Sequence, residues 1–143
     1  MTTTTSATTA PATAGPATAD ARAAAQVPAR IVAAWAHHDA DAFAEVFTED
    51  GTMIMPGVHL TGRDAIRSYM TSGFTGRYQG TRVTGQPVRV AVLAPEAAVL
   101  VTRGGVLLPG ESEVAPERLI HASWVLVKRD GSWRLAVYQN SPA

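Results

Sequence analysis

The chain has 143 residues, carries as many acidic as basic side chains, and contains no cysteine. Its length suits one domain with a buried core, and the balanced charge excludes the strongly basic surface of a protein that binds nucleic acid or an anionic membrane. Without thiols there is neither a disulfide framework nor a thiolate zinc site, and no apolar run reaches the roughly 18 to 20 residues of a membrane helix.

The N-terminal region is predicted to contain a tail followed by a long helix. Residues Met1–Ala19 are almost entirely Thr, Ala, Pro, Ser and Gly, which bury too little apolar surface to offset the entropy of ordering. We expect a disordered tail, a single domain over residues 20–143, and a cytoplasmic location because the N-terminus lacks the parts of a signal peptide. From Asp20 to His38, apolar residues recur at helical spacing, with Pro28 either at a kink or in the first turn.

A second, short helix and a short strand pair are predicted next. Asp39 or Asp41 can cap this helix, which is expected to end near residues 49–51. Thr52–Met55 and Val58–Leu60 are typical of two short strands joined by a Pro-Gly turn.

A third helix and a sheet make up the next part of the chain. Residues 61–64 read Thr-Gly-Arg-Asp, which resembles a capping box, and the helix is expected to end near residues 73–76. Thr81–Leu93 and Ala97–Leu108 are rich in valine and leucine and predict two strands, followed by a loop at Pro109–Glu117. Helices followed by antiparallel strands predict an α+β fold in which helices cover one face of a curved sheet.

The last quarter of the chain predicts a β-hairpin. The runs Leu119–Lys128 and Trp133–Asn140 flank an Asp-Gly pair, the dipeptide that suits a type I′ turn. With Arg129 opposite Ser132, a regular register pairs Leu126 with Leu135 and predicts one mixed face and one apolar face. The polar residues of the mixed face are His121, Ser123, Tyr138 and Asn140. The apolar face includes Trp124, Leu126, Trp133, Leu135 and Val137.

Two assignments of these hairpin faces remain open. If the mixed face lines a pocket, the apolar face lies on the outside and predicts a homodimer through the sheet. If the apolar face forms the core, the polar residues of the mixed face are merely solvated.

The order of the elements resembles the SnoaL-like branch of the nuclear transport factor 2-like superfamily, and within it the SgcJ/EcaC proteins of enediyne antibiotic biosynthesis. Short motifs carry this resemblance: Ala34-Trp35, residues 39–43, 47–51, 62–66 and 128–133, and Tyr138-Gln139-Asn140-Ser141. The resemblance implies a cone-shaped α+β barrel, with a curved antiparallel sheet wrapped by three N-terminal helices around a central pocket. It also implies a homodimer and a hydrophobic, polyketide-like ligand.

Several chemistries are excluded by the motifs that the chain lacks. It contains no Gly-rich dinucleotide fingerprint, phosphate loop, nucleophile elbow or paired-histidine zinc motif, so we expect no cofactor and no metal. Any catalysis would be isomerisation, cyclisation or hydration by proton transfer. His121 is then the best acid or base, and Tyr138 and Asn140 would donate hydrogen bonds to a carbonyl or enolate. The alternative is a non-catalytic carrier or accessory subunit that binds an intermediate or a biosynthetic enzyme such as a polyketide synthase.

The expected pocket wall is mostly apolar, as in most small-molecule sites. The candidate substrate-binding residues are Trp35, Phe43, Met53, Met55, Tyr69, Phe74, Arg103 and Ser123. Taken singly, the apolar members of this set are equally typical of an ordinary core, and Arg103 is typical of a solvated strand end.

Overall fold

The computed structural model describes residues 16–143, and four helices occur in the first half of this range. They are α1 (Pro16–Ala24), α2 (Val27–Ala36), α3 (Ala40–Glu45) and α4 (Arg63–Phe74). Residues 1–15 of the predicted tail lie outside the described residues, and the predicted boundary at Ala19 is wrong because α1 begins at Pro16. The predicted helix over residues 20–38 is interrupted after Ala24, since Pro28 occupies the first turn of α2, where its missing N–H costs nothing.

The helix ends show which capping predictions hold. Asp39 caps α3, its carboxylate accepting a hydrogen bond from the Ala42 amide at 3.0 Å, as predicted. The predicted capping box at residues 61–64 does not form: Gly62 is the N-cap of α4, and the Asp64 carboxylate pairs with Arg67 instead. Helix α3 ends at Glu45, earlier than predicted, because the following residues enter a strand.

Six strands form one curved sheet. They are β1 (Phe47–Met55), β2 (Val58–Thr61), β3 (Arg82–Ala94), β4 (Ala97–Leu107), β5 (Ile120–Arg129) and β6 (Ser132–Pro142). Their spatial order is β2-β1-β6-β5-β4-β3. All neighbours are antiparallel except β1 and β6, which run parallel. Helices α2 and α4 pack against this sheet, which confirms the predicted α+β class.

The final hairpin begins as predicted. Asp130 and Gly131 have φ values of 51° and 78°, the positive pair that a type I′ turn requires. Leu126 pairs with Leu135 in the predicted register.

Beyond that pair, the register differs from the prediction because Ala136 forms a β-bulge. Val125 pairs with Val137, so one residue of β6 has no partner in β5. Beyond the bulge, each β6 residue is shifted by one position relative to β5 when compared with the predicted register. Because side chains alternate between faces, this shift moves Tyr138 to the face opposite the predicted one.

The bulge changes the composition of both faces. Tyr138 now pairs with Trp124 and Asn140 with Ala122, so all four lie on the inner face. The expectation that His121 and Ser123 share a face with Tyr138 and Asn140 is therefore wrong: both side chains are exposed on the outer face.

The apolar inner face forms the core of the described chain. Its buried residues include Leu100, Trp124, Leu126, Trp133 and Leu135, all at most 5% exposed. The assignment of this apolar face to the outside, as a dimer interface, is consequently wrong, because helices of the same chain cover it.

Strands β3 and β4 approach each other closely at a pair of glycines. Gly85 lies opposite Gly104 in the ladder. A Cβ added to Gly104 would lie 2.7 Å from the Gly85 Cα and would also collide with the Thr84 carbonyl oxygen. Only glycine fits at position 104 without moving backbone, and this pair adjoins the cavity described next.

Candidate ligand-binding cavity

A cavity of about 390 Å³ lies between α2, the end of α4 and the inner face of the sheet. This volume falls within the range of small-molecule sites. The apolar part of the lining includes Ile31, Val32, Trp35, Met55, Val83, Val106, Ile120, Ala122 and Trp124. The wall is therefore suited to an apolar ligand, and the few polar groups determine its orientation.

Tyr138 and Asn140 form a polar pair on the sheet side of the cavity. The Asn140 Nδ2 donates a hydrogen bond to the Tyr138 hydroxyl oxygen at 3.0 Å. The ring of Trp124 packs edge-on against Tyr138, with centroids 5.0 Å apart. Among the described residues, no acceptor takes the proton of the Tyr138 hydroxyl. That proton is available to a ligand, and the hydrogen bond from Asn140 strengthens the hydroxyl as a donor.

Two further phenols lie at the α4 side of the cavity. The hydroxyl oxygens of Tyr69 and Tyr78 are 3.3 Å apart, and the Arg77 guanidinium lies 5.4 Å from the centre of the Tyr78 ring. Trp35 packs against Tyr78 and donates a hydrogen bond to the Thr81 hydroxyl at 2.9 Å. These contacts hold the segment after α4 against α2 and so form one wall.

Tyr78 and Tyr138 are hydrogen-bond donors and not bases at neutral pH, because the pKa of each hydroxyl is raised. Burial raises the pKa of the Tyr138 hydroxyl, and the hydrogen bond from Asn140 only partly opposes this effect. Burial, followed by the hydrogen bond with Tyr69, also raises the pKa of Tyr78. The described lining contains no His, Asp or Glu, and nowhere in residues 16–143 do three such side chains gather as metal ligands.

Comparison with known proteins assigns the fold to a family. The model of the SnoaL-like domain matches residues 16–139. The chain belongs to the SnoaL-like domain family. No protein with a curated description matches it significantly.

Solved structures support the same fold for this SnoaL-like domain. A cystatin-like domain of unknown function from Nostoc punctiforme is 28% identical, with a TM-score of 0.80 over 88% of this chain and 78% of that one. A protein of unknown function from Mycobacterium tuberculosis is 22% identical (TM-score 0.76, coverage 87% and 72%). A ketosteroid isomerase-like protein from Erwinia carotovora is 20% identical (TM-score 0.67, coverage 85% and 95%).

The predicted site residues separate into three groups in this SnoaL-like domain. Trp35, Met55, Tyr69, Tyr138 and Asn140 line the cavity. Three others are core residues outside the described lining: Phe43, Met53 and Phe74. The remaining three are exposed on the outer face, where Arg103 pairs with His121 across the strands: Arg103, His121 and Ser123.

Sequence reasoning missed several lining residues of the SnoaL-like domain. They are Arg77, Tyr78, Thr102, Arg118 and Trp124. The alternation of β4 could have identified Thr102, whose hydroxyl accepts a hydrogen bond from the Trp124 indole at 2.9 Å. Arg77 and Tyr78 follow α4 in a segment without periodicity, so no sequence pattern points to them.

None of the described helices is long and apolar enough to cross a bilayer.

The raised pKa values predict a loss of stability at alkaline pH. A tyrosine whose pKa is raised on folding stabilises the folded state as long as the pH is below the pKa of tyrosine in the unfolded chain, about 10. This contribution is lost as the pH rises above that pKa. The free energy of unfolding should therefore fall as pH rises above about 10. Urea denaturation at a series of pH values measures this slope. Tyr138→Phe should reduce it; an unchanged slope would show that Tyr138 is not a source of the effect.

Proposed function

We propose that this SnoaL-like domain binds an apolar small molecule that carries a carbonyl group, and that it acts as a carrier and not as an acid–base enzyme. The observation that carries the proposal is the Tyr138–Asn140 pair, which presents a free hydroxyl proton inside an apolar cavity. A carbonyl oxygen complements this donor, because a hydroxyl proton left unpaired in an apolar site is unfavourable.

The choice of carrier over enzyme depends on the absence of a base near this donor. Proton abstraction beside a carbonyl needs a group with a pKa near neutrality within reach of the substrate. His121, the predicted acid or base, lies on the outer face, and the described cavity lining contains neither histidine nor a carboxylate. A bound ketone is thus oriented without a partner that could remove its α-proton.

The test uses 2-acetylnaphthalene, a rigid apolar ketone, with 2-isopropylnaphthalene as a probe of similar shape without an acceptor. Tyr138→Phe keeps the ring and removes the donor, so calorimetry should show affinity for the ketone falling by about tenfold. Affinity for the hydrocarbon should stay within about twofold. Equal losses for both probes would contradict a hydrogen bond to the carbonyl.

Incubation of the bound ketone in deuterium oxide separates a carrier from an enzyme. An acid–base catalyst would exchange the α-hydrogens of the acetyl group faster than buffer does, and mass spectrometry detects this. We expect no exchange above the buffer rate. Faster exchange that disappears in Tyr138→Phe would establish enolisation and overturn the carrier assignment.

The biological ligand is proposed from the resemblance to SgcJ/EcaC proteins. On that basis it is a hydrophobic polyketide intermediate of enediyne biosynthesis, delivered to or received from a biosynthetic enzyme. Native mass spectrometry with such intermediates would test this assignment, since a retained intermediate adds its own mass. Failure of every intermediate to bind would contradict it, even if the naphthyl ketone binds.

We also propose a homodimer, through the outer face of the sheet. Val99, Val125 and Val137 are consecutive cross-strand neighbours there and form an apolar row. Val125→Arg should convert the dimer to a monomer in sedimentation experiments, because each interface would then contain buried, unpaired charges. Val88→Arg, on the edge strand outside the row, is the matched control and should stay dimeric. A wild-type monomer would overturn the proposal.

A further inference from the structure

The rim of the cavity is positively charged. Arg77 and Arg118 both line it, whereas no acidic side chain does among the residues that the structure describes. The segments carrying these arginines adjoin each other: a Cβ added to Gly80 would lie 3.2 Å from the Pro109 ring, and Arg82 donates a hydrogen bond to the Glu111 carbonyl oxygen at 2.7 Å.

Arg118 is held by a carboxylate from outside the cavity. Its Nη2 donates a hydrogen bond to the Glu111 Oε1, which also accepts one from the Leu108 amide at 2.8 Å. The two side chains are 28% and 30% exposed, so solvent reaches the pair. Glu111 is not among the described lining residues, whereas Arg118 is. Arg118 therefore lies between Glu111 and the cavity.

Arg77 has no such partner. No carboxylate lies within 4.0 Å of its guanidinium in residues 16–143, and the guanidinium lies over the face of the Tyr78 ring. An exposed cation that borders an apolar cavity attracts an anion to the cavity mouth.

We infer that the ligand is an organic acid whose carboxylate binds Arg118 from the cavity side, in competition with Glu111, and that Arg77 supplies a second positive charge. The apolar body then fills the cavity below. This inference rests on the proposed function and adds the ligand's charge to it. Glu111 lies outside the cavity, so the two carboxylates approach Arg118 from different sides, and the guanidinium pairs with either through charge-assisted hydrogen bonds. A guanidinium held by Glu111 is therefore less available to the ligand's carboxylate.

The experiment compares 2-naphthoate with 2-acetylnaphthalene, since the two probes share a ring system and differ in carrying a carboxylate or an acetyl group. Arg118→Gln should weaken binding of 2-naphthoate by about tenfold, because a charge-assisted hydrogen bond is lost. Binding of 2-acetylnaphthalene should change by less than about twofold. Arg77→Gln should weaken 2-naphthoate by a smaller factor. Equal effects of Arg118→Gln on both probes would overturn the inference.

Glu111→Gln distinguishes anion binding from a structural role of the ion pair. If Arg118 only fixes the segment after β4, removing either partner of the ion pair should reduce the affinity for both probes equally. If Arg118 binds the ligand, Glu111→Gln frees the guanidinium and should increase the affinity for 2-naphthoate by several-fold. Unchanged or weaker binding would overturn the inference. Glu111→Gln also tests anion binding by Arg118 if the Arg118→Gln variant fails to fold. If neither probe binds the wild type, the proposed function itself fails.

Discussion

Gly104→Ala is expected to destabilise the protein by about 3 kcal/mol, at the upper end of overpacking effects. The new Cβ would collide with the Thr84 carbonyl and approach the Gly85 Cα, both of which are backbone atoms. No side-chain rotation can relieve this contact, so strands β3 and β4 must separate. Urea denaturation measures the loss directly.

The matched control is Gly85→Ala, in the cross-strand partner of Gly104. A Cβ at position 85 would meet the Thr102 side chain at 3.7 Å, an ordinary van der Waals distance. Its free energy of unfolding should lie within about 0.5 kcal/mol of the wild type. Equal destabilisation by both substitutions would show that loss of glycine itself, and not the close approach at position 104, is responsible.

Ala122→Trp is expected to abolish ligand binding, with affinity for 2-acetylnaphthalene reduced by more than ~100-fold because the indole occupies the volume that the ligand fills. Ala122 is 2% exposed, lies opposite Asn140 on the inner face and lines the cavity. Calorimetry measures binding, and the circular dichroism spectrum shows whether the fold is retained.

Ser123→Trp serves as the control, because the neighbouring side chain points to the outer face. This variant should bind the ketone as the wild type does. Retained binding by a folded Ala122→Trp protein would place the ligand outside the cavity and contradict the proposed function.

The type I′ turn and the first part of the final hairpin could be predicted from sequence because a dipeptide with a specific backbone preference determines them. The bulge at Ala136 could not. Alanine has no backbone preference that favours a β-bulge, and the alternation of side chains in β6 alone is compatible with a regular register. The bulged register also aligns β6 with a strand distant in sequence, since β1 pairs Thr52 with Val137 and Met53 with Tyr138.

The contrast between local sequence patterns and distant pairing also explains which cavity residues could be identified from the sequence. Trp35 and Tyr69 lie on helices whose periodicity reveals the buried face. Tyr138 and Asn140 were identified as lining candidates on a regular register that also placed His121 beside them, and the bulge separates them from it. Arg118 is the last residue of a short 3₁₀ turn at Pro116–Arg118, where no periodic pattern exists.

The bulge at Ala136 also has a consequence for the order of folding. Residues near the turn can pair early, because they are close in the chain and their register is set locally. The segment that carries Tyr138 reaches its native register only when it docks on β1, more than 80 residues earlier in the sequence. Closure of so long a loop is slow and costly in entropy. We therefore expect the binding site to mature last, so that a nascent or partly folded chain holds its ligand poorly even when most of the sheet has formed.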